Sequence, residues 1–312
     1  MKALIIGAAG FVGGYLADHL QKECGWSVCV TKMPQEVCSI ENVEIYDLDI
    51  LEKNAMEQLL EQVAPDYIFH LAAQSSVAVS WKRPDLTVDV NIKGCVNVLE
   101  AIRKMEKKPR VLLIGSGEEY GPVKQEENPV KETQTLQPGN IYAATKVCQN
   151  MIGKIYADAY QMDVMMVRAF NHIGPKQAPL FVVSDFCKQV AEIEKGQKEP
   201  VMYVGNLCAM RDFTDVRDIV RAYAMLIQKG TAGETYNVGS GKAIEIRELL
   251  DKILKLSTKE IKVEIDEKKL RPVDVKIVEA DVSKLVRETG WERRFELEDT
   301  LKDILEYWRE QI

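Results

Sequence analysis

The chain has 312 residues, of which 46% are hydrophobic and 29% charged, a composition typical of a folded globular protein with a sizeable core. Its formal net charge of -7 argues against nucleic acid or an anionic membrane as the main partner, but leaves room for a local basic pocket that binds a small anion.

The sequence carries no targeting, membrane or metal signal. Its seven cysteines are odd in number and include no C-x-x-C pair, which favours reduced thiols over a disulfide or zinc framework. The N-terminus enters a strand-like run at once, and no apolar stretch approaches the length of a membrane span. The three histidines are scattered, so we expect no metal site. These features predict a soluble cytoplasmic protein.

The first half of the chain alternates short apolar runs with segments of helical periodicity. Strands are predicted, in chain order, at residues 3–6, 28–30, 43–46, 66–73, 110–116 and 164–171. Helices are predicted at residues 11–23, 54–63, 91–105 and 142–160. Strands that are apolar throughout and separated by helices predict an α/β fold with a doubly wound, parallel, Rossmann-type sheet.

The alternation of apolar runs and helical segments changes near Gly174, where a turn-rich stretch is followed by shorter segments of mixed strand and helix character. We expect residues 1–172 and 213–240 to form the first domain. A smaller α+β lobe is expected from residues 173–212 and 241–312, with the chain returning to the first domain between them.

A glycine-rich turn, GAAGFVG, follows the first predicted strand. Gly7 allows a tight exit from the strand, Gly10 lets the backbone approach a pyrophosphate, and Gly13 lets the helix pack close to the sheet. Phe11 and Val12 open that helix, whose N-terminus presents free N–H groups and the positive end of its dipole. The turn therefore predicts a dinucleotide site.

The end of the second strand bears on which dinucleotide is bound. An acid normally stands there to accept the ribose 2′-hydroxyl of NAD, whereas this strand ends in Thr31 and Lys32. The ammonium of Lys32 favours the 2′-phosphate of NADP, with NAD as the alternative. Asp49 and Ile50, after the third strand, are placed to flank the adenine.

Three residues at one edge of the sheet suggest proton-transfer chemistry. The carboxyl end of the strand at 110–116 delivers Ser116 to the ligand edge, and Tyr142 and Lys146 lie one helical turn apart on one helix face. A neighbouring ammonium is expected to lower the pKa of the phenol, which is ordinarily near 10. Serine can hold a substrate oxygen beside that phenol while hydride arrives from a nicotinamide.

Taken together, these motifs resemble the extended short-chain dehydrogenase/reductase family of nucleotide-sugar epimerases, dehydratases and reductases. The glycine loop, HLAA at 70–73, Asn91, Ser116 and the tyrosine–lysine helix occur in that family's order along essentially the whole chain. The resemblance implies a nicotinamide cofactor in the first domain and a nucleotide sugar in the second lobe. Further implied cofactor contacts are Leu71, Ala72, Ala73, Tyr142 and Lys146.

Residues 204–223, 270–275 and 170–175 are similar to the branch of GDP-mannose dehydratases and GDP-6-deoxymannose reductases. The resemblance implies that the substrate is a GDP-sugar. It also implies a homodimer formed through the helices predicted at 91–105 and 142–160.

The resemblance implies that four residues bind the substrate, three of them in these segments. Arg211 and Arg271 would hold the diphosphate with their planar donor forks. Asn171 would contact the sugar or its phosphate, and Lys188 would add positive charge.

Two activities compete within this branch. In the dehydratases a glutamate at the position of Glu118 removes the C5 proton, so its presence here leaves dehydration open. Residues 31–44 are short and mostly acidic or neutral where the dehydratases carry an arginine-rich insert, and Gly117 interrupts their Ser or Thr pair. Both departures favour a reductase.

We therefore expect NADPH-dependent reduction of the C4 ketone of GDP-4-dehydro-6-deoxy-D-mannose to GDP-D-rhamnose. Ser116 would orient the carbonyl, Tyr142 would protonate the alkoxide, and Glu118 and Glu119 would shape the sugar pocket. The alternatives are a GDP-mannose 4,6-dehydratase with Glu118 as base, a UDP-sugar 4-epimerase, and a catalytically silent dinucleotide sensor. Retention of both Tyr142 and Lys146 argues against the sensor.

Overall fold

The structure, a computed structural model, describes residues 1–269 and 276–312. The strands of these residues are, in chain order, β1 Lys2–Ile6, β2 Ser27–Lys32, β3 Glu44–Asp47, β4 Tyr67–His70, β5 Arg110–Ser116, β6 Val164–Ala169, β7 Asn171–Ile173, β8 Val201–Val204, β9 Met210–Asp215, β10 Thr235–Val238, β11 Ala243–Glu245, β12 Lys262–Ile265 and β13 Ile277–Val278. The α-helices are α1 Phe11–Lys22, α2 Lys53–Val63, α3 Val77–Lys82, α4 Pro84–Val88, α5 Cys95–Lys104, α6 Ile141–Tyr160, α7 Val182–Glu194, α8 Val216–Lys229, α9 Ile246–Lys255, α10 Ser283–Thr289 and α11 Leu297–Gln311.

The large sheet has seven strands in the order β10-β6-β5-β4-β1-β2-β3. Every neighbouring pair in it is parallel. Because the strand order reverses between β1 and β4, loops after these two strands diverge and leave a crevice at the carboxyl edge. The predicted doubly wound parallel sheet is confirmed.

Two predicted strands end earlier than their apolar runs. The strand predicted to reach residue 73 stops at His70, because the N–H groups of Leu71 and Ala72 both donate to the Ile6 carbonyl oxygen at 2.9 and 2.8 Å. The strand predicted at 164–171 is divided at Phe170 into β6 and β7, which belong to different sheets. In both places the chain turns toward the crevice.

Alternate residues of the strands pack into two apolar layers. Ile5 belongs to the layer that contains Leu16 of α1 and Ile219 of α8. Its neighbour Ile6 belongs to the layer that contains Leu60 of α2, and α5 and α6 pack into that layer too. Full burial of each such side chain stabilises the fold by about 1.5–3 kcal/mol. These layers hold both faces of the sheet under helices.

A smaller lobe contains the other two sheets. The strands β7, β9, β11 and β13 form one, β8 and β12 form the other, and helices α7, α9 and α11 pack over a third apolar cluster. The domain boundary expected at residues 212 and 213 falls inside β9, which pairs with β7 as far as Asp215. We therefore propose that the chain returns to the large sheet at α8, which packs on α1 before β10 joins β6.

Among the helices of residues 1–269 and 276–312, none combines the length and apolar character needed to cross a membrane.

The central strand β5 offers a test of this packing. Leu112 is completely buried in it, whereas Leu180 is 65% exposed on the smaller lobe. Leu112→Ala is expected to lower the free energy of unfolding by about 2–5 kcal/mol, because it leaves a cavity between packed layers. Chemical denaturation of both variants checks this, with Leu180→Ala as the matched control. Equal losses in the two variants would contradict the assigned core.

Candidate active site

The glycine loop joins β1 to α1 at the crevice. Gly7 has φ +86°, and a Cβ atom there would lie 2.5 Å from the Ala72 Cα atom, so a larger residue would collide with the half-buried turn at 71–73. A Cβ atom on Gly13 would collide with the Ala8 carbonyl oxygen. These two glycines therefore allow the loop, the helix and the turn after β4 to lie close together.

The same loop fits the pyrophosphate of a dinucleotide. Gly10 precedes the first residue of α1, and a Cβ atom on it would lie 3.9 Å from the Gly7 carbonyl oxygen, so its Cα faces open space. The N–H groups of Phe11 and Val12 belong to the first helical turn, where donors lack intrahelical acceptors and the helix dipole is positive. These groups are suited to bind an anion at the predicted place.

Thr31 and Lys32 end β2 beside the loop, and both already have protein partners. The Thr31 hydroxyl accepts a hydrogen bond from the Gly7 N–H at 3.0 Å, so this buried side chain supports the glycine turn. The Lys32 ammonium forms an ion pair with Asp47 at 2.5 Å. The pairing of Lys32 with Asp47 was not predicted from the sequence, although Asp47 ends the neighbouring strand and lies directly opposite Lys32 in the register.

The two residues expected to flank adenine differ in surroundings. Asp49 is half-buried, and its carboxylate accepts a hydrogen bond from the Leu51 N–H at 2.9 Å. Ile50 is buried in the core and packs against Gly94, where an added Cβ atom would collide with its side chain. Little of the Ile50 side chain is thus left for a ligand, and both adenine contacts stay predictions.

Ser116 ends β5 and begins a tight 3-10 turn, Gly117–Tyr120. Its hydroxyl accepts a hydrogen bond from the Glu118 N–H at 3.2 Å, which fixes the start of the turn. The half-buried Glu118 carboxylate accepts a hydrogen bond from the Asn140 side chain at 3.3 Å. Because Asn140 is also the N-cap of α6, the turn and the tyrosine helix meet at this point.

Helix α6 brings Tyr142 and Lys146 to the same region. The Lys146 ammonium donates hydrogen bonds to the Ile114 carbonyl oxygen at 2.7 Å and to the Gln149 side chain at 3.0 Å. Since Ile114 belongs to β5, two residues before Ser116, these bonds tie the lysine to the serine strand. The structure therefore brings Ser116, Tyr142 and Lys146 together.

The electrostatics of Tyr142 differ from the sequence expectation. Burial raises the pKa of the Tyr142 phenol above its ordinary value; the nearby Ser116 hydroxyl opposes this rise, and the Glu118 and Glu119 carboxylates add to it. Burial likewise lowers the pKa of Lys146 to about 8, against the opposing effects of Cys95 and Glu119. The expected acidification of the phenol is thus wrong for this structure, because desolvation dominates.

The sequence also predicted an unbroken helix over 91–105, and this is wrong at its start. Residues Asp89–Gly94 form a π-helical turn before α5. Its buried Asn91 exchanges hydrogen bonds with the Gln74 backbone at 2.8 and 3.1 Å and donates one to the Thr145 hydroxyl at 2.9 Å. Asn91 therefore joins the loop after β4 to the tyrosine helix. Such π-turns often occur at functional sites.

A buried histidine next to the lysine was not singled out by sequence reasoning. His70 ends β4, and within the described part of the chain neither of its ring nitrogens has a hydrogen-bond partner. Burial, with a further effect of Lys146, lowers the pKa of His70 to about 3. The imidazole is therefore neutral at physiological pH and adds no charge beside Lys146.

Two of the expected substrate residues lie on paired strands of the smaller lobe. Asn171 is exposed on β7, opposite Phe213 of β9. Arg211 lies on β9 and donates a hydrogen bond to the Met210 carbonyl oxygen at 2.8 Å. The assignment of Arg271 falls outside the described residues. These substrate contacts stay predictions.

Lys188 and Glu119 both have contacts with other side chains of the protein. The Lys188 ammonium is 3.8 Å from Glu192 and 5.4 Å above the Trp308 ring, so it packs toward α11. Its substrate contact stays a prediction. Glu119 is 0% exposed and therefore does not line a sugar pocket, which corrects the expectation for this carboxylate.

Over residues 1–269 and 276–312, no group of three or more His, Cys, Asp and Glu side chains is arranged to hold a metal ion.

The chain is similar to known proteins over its whole length. A family model for GDP-mannose 4,6 dehydratase matches residues 4–304. GDP-6-deoxy-D-mannose reductase from Pseudomonas aeruginosa is 29% identical over all of this chain and 98% of that protein. GDP-mannose 4,6-dehydratase from Vibrio cholerae is 28% identical over 93% of this chain and 89% of that protein.

The fold similarity is equally extensive. The structure of RMD from Pseudomonas aeruginosa complexed with NADPH superposes with a TM-score of 0.89 at 29% identity and covers 100% of both chains. The chain therefore belongs to the GDP-mannose 4,6 dehydratase family of extended short-chain dehydrogenases/reductases, and it is an NAD(P)-dependent nucleotide-sugar enzyme of the class that its sequence predicted.

Proposed function

We propose that the protein catalyses NADPH-dependent reduction of the C4 ketone of GDP-4-dehydro-6-deoxy-D-mannose to GDP-D-rhamnose. The observation that carries the proposal is the grouping of Ser116, Tyr142 and Lys146 at the carboxyl end of β5, in a chain that the Pseudomonas aeruginosa reductase matches over its whole length. A phenol that keeps its proton at neutral pH suits donation to a carbonyl oxygen. Oxidation of a sugar hydroxyl, with which dehydration and epimerisation begin, needs the same phenol as a base.

A nicotinamide dinucleotide, when bound at the glycine loop, would supply the hydride for C4 of the keto sugar. Ser116 holds the carbonyl oxygen, and Tyr142 gives its proton to that oxygen as negative charge develops there. Lys146, fixed to the Ile114 carbonyl oxygen, would hold the cofactor ribose with its ammonium. Glu118, whose carboxylate Asn140 holds, would contact the sugar.

The second candidate is the 4,6-dehydratase. It is favoured by the half-buried Glu118, which occupies the position of the proton-abstracting glutamate in the dehydratases, and by the dehydratase from Vibrio cholerae at 28% identity. The reductase is preferred because the Pseudomonas aeruginosa reductase matches all of this chain without the length difference that accompanies the dehydratases.

We propose NADPH over NADH because Lys32 ends β2 at the ribose side of the glycine loop. Its present partner, Asp47, is 59% exposed, so a 2′-phosphate can compete for the ammonium at low cost. With NAD, by contrast, the Asp47 carboxylate is available to accept a hydrogen bond from the 2′-hydroxyl. We therefore propose that Lys32 and Asp47 together determine which of the two cofactors is preferred.

We also propose a homodimer formed through α5 and α6. Met151 and Ile155 of α6 are 61% and 55% exposed, and Trp81 of α3 is 55% exposed nearby in the fold. An exposed apolar patch of this kind is typical of a protein–protein contact.

Removal of the phenol hydroxyl tests the proposed acid. Tyr142→Phe is expected to lower kcat about 10²–10⁴-fold with the keto sugar and NADPH, because the proton donor is lost. Loss of NADPH absorbance measures turnover, and fluorescence titration checks that NADPH affinity is retained. Unchanged turnover in the variant would reject the assignment, and keto-sugar release from GDP-mannose by the wild type would favour the dehydratase.

Cofactor choice is tested at Lys32. Lys32→Ala is expected to raise KM for NADPH about tenfold while KM for NADH stays unchanged, because a charge-assisted contact to the 2′-phosphate is lost. The matched control is Lys22→Ala, which removes a lysine from another exposed ion pair, with Asp18. Equal effects of Lys32→Ala on the two cofactors would contradict the role of Lys32.

The pH profile tests the protonation states. As pH rises through about 8, Lys146 loses its proton while Tyr142 keeps its own, so turnover is expected to fall there. Below this pH the lysine is charged and turnover is expected to be retained. Lys146→Arg, whose guanidinium stays protonated, should lack this alkaline loss. A wild-type rate that stays constant well above pH 8 would argue against a charged lysine in the reaction.

A further inference from the structure

We propose that Glu119 is a positioning residue that sets Ser116 in register with the tyrosine helix. This inference deepens the proposed function and rests on it for the identity of the reaction. It does not make Glu119 a substrate-binding or proton-transferring group, since the side chain is completely buried.

The Glu119 carboxylate bonds three elements of the site at once. One oxygen accepts a hydrogen bond from the Ser116 backbone N–H at 2.8 Å. The Asn150 side chain, one turn beyond Lys146 on α6, lies 2.9 and 3.0 Å from the two oxygens. Arg168 of β6 donates to the second oxygen at 3.0 Å. The serine strand, the tyrosine helix and the next strand therefore share one anion.

Space for this carboxylate is made by Gly115. A Cβ atom on Gly115 would lie 2.5 Å from the Asn150 side-chain nitrogen and would collide with the Glu119 carboxylate. A Cβ atom there would also lie 2.5 Å from the Val167 carbonyl oxygen, so both the neighbouring strand and the buried acid require the glycine that precedes Ser116. A side chain at 115 would force apart the two groups that hold Ser116 to α6.

Arg168 keeps the carboxylate in place from the other side. Its guanidinium lies 4.9 Å from the Tyr120 ring centroid and donates to the Tyr120 hydroxyl at 3.1 Å and to the Glu132 carbonyl oxygen at 2.9 Å. The Tyr120 hydroxyl in turn donates to Asn237 of β10 at 2.6 Å. With its donors directed to several acceptors, Arg168 cannot follow a displaced Glu119 without losing these bonds.

Burial raises the pKa of Glu119, and Arg168 opposes this rise; in its ionised form the carboxylate also acts on the reacting groups. Glu119 raises the pKa of Tyr142 together with burial and Glu118, and it opposes the fall in the pKa of Lys146. The buried acid therefore helps to keep the phenol protonated and the lysine charged, which are the forms the proposed reduction uses.

The substitution Glu119→Gln tests whether Glu119 positions Ser116 or only stabilises the fold. The remaining oxygen will turn to the charged Arg168, because that bond is the stronger, and the amide NH₂ will then face the Ser116 N–H. We expect faster hydrogen exchange at residues 115–120 and a kcat lowered about 10- to 100-fold, with the Kd for NADPH unchanged.

The matched control is Asp218→Asn. Asp218 is likewise 0% exposed, accepts hydrogen bonds from the Arg294 and Phe295 N–H groups, and pairs with Arg221, but it lies on α8 outside the site. This control is expected to lower Tm to a similar extent while kcat and exchange at 115–120 stay at wild-type values.

A second substitution that moves the carboxylate from position 119 to position 150 is expected to restore the position of Ser116. In Glu119→Gln/Asn150→Asp, the new carboxylate can accept a hydrogen bond from the Gln amide, which directs the Gln oxygen to the Ser116 N–H. Exchange protection and a substantial part of kcat should return. If Glu119→Gln does not fold, Glu119→Asp replaces it, because it keeps the charge and shortens the reach to Ser116; the same losses are expected.

The proposal is overturned if Glu119→Gln keeps wild-type exchange and kcat, or if Asp218→Asn loses as much turnover. Hydrogen exchange needs no substrate, so it tests the positioning of Ser116 on its own. A wild-type protein that shows this exchange pattern but does not reduce the keto sugar would reject the reductase proposal alone.

Discussion

Seven parallel strands place all their carboxyl ends at one edge of a single sheet, and every residue proposed for chemistry depends on that constraint. The glycine loop leaves β1 there, and Ser116 leaves β5 at the same edge. The Ile6 carbonyl oxygen stops β4 early, which brings the turn at 71–73 against Gly7. An antiparallel neighbour would carry its loop to the opposite edge and divide the site.

Buried polar groups near this edge fix how the helices and strands are oriented relative to one another. Apolar packing alone would leave these orientations adjustable. Asn91 joins the loop after β4 to α6, and Glu119 joins β5 to the same helix. Each is fully buried and fully bonded to more than one element, so displacement would leave a donor or acceptor unsatisfied. The tyrosine helix is thereby held from two sides. This rigidity suits the proposed reaction, because small changes in the distance between reacting atoms slow it strongly.

The smaller lobe meets the glycine loop through the segment 170–175. The Phe11 ring lies parallel to the His172 ring at 6.1 Å, and the Tyr15 hydroxyl donates to the Pro175 carbonyl oxygen at 2.9 Å. Residues of this segment form β7, which pairs with β9. The first turn of the helix suited to a pyrophosphate is thus in contact with the strand that carries Asn171, so the two halves of the site share one packed boundary.

By itself the sequence determined the parallel sheet, the glycine loop and the Ser116–Tyr142–Lys146 set, because periodicity, glycine spacing and helical i,i+4 spacing are local properties. Only the tertiary structure decided the pKa direction of Tyr142, the burial of Glu119 and the pairing of Lys32 with Asp47. These depend on desolvation and on contacts between residues distant in the chain, which spacing does not encode. Adjacent carboxylates look alike in a sequence, yet Glu118 is half-buried and bonded to Asn140, whereas Glu119 is completely buried against Arg168, because the turn after β5 points them in different directions.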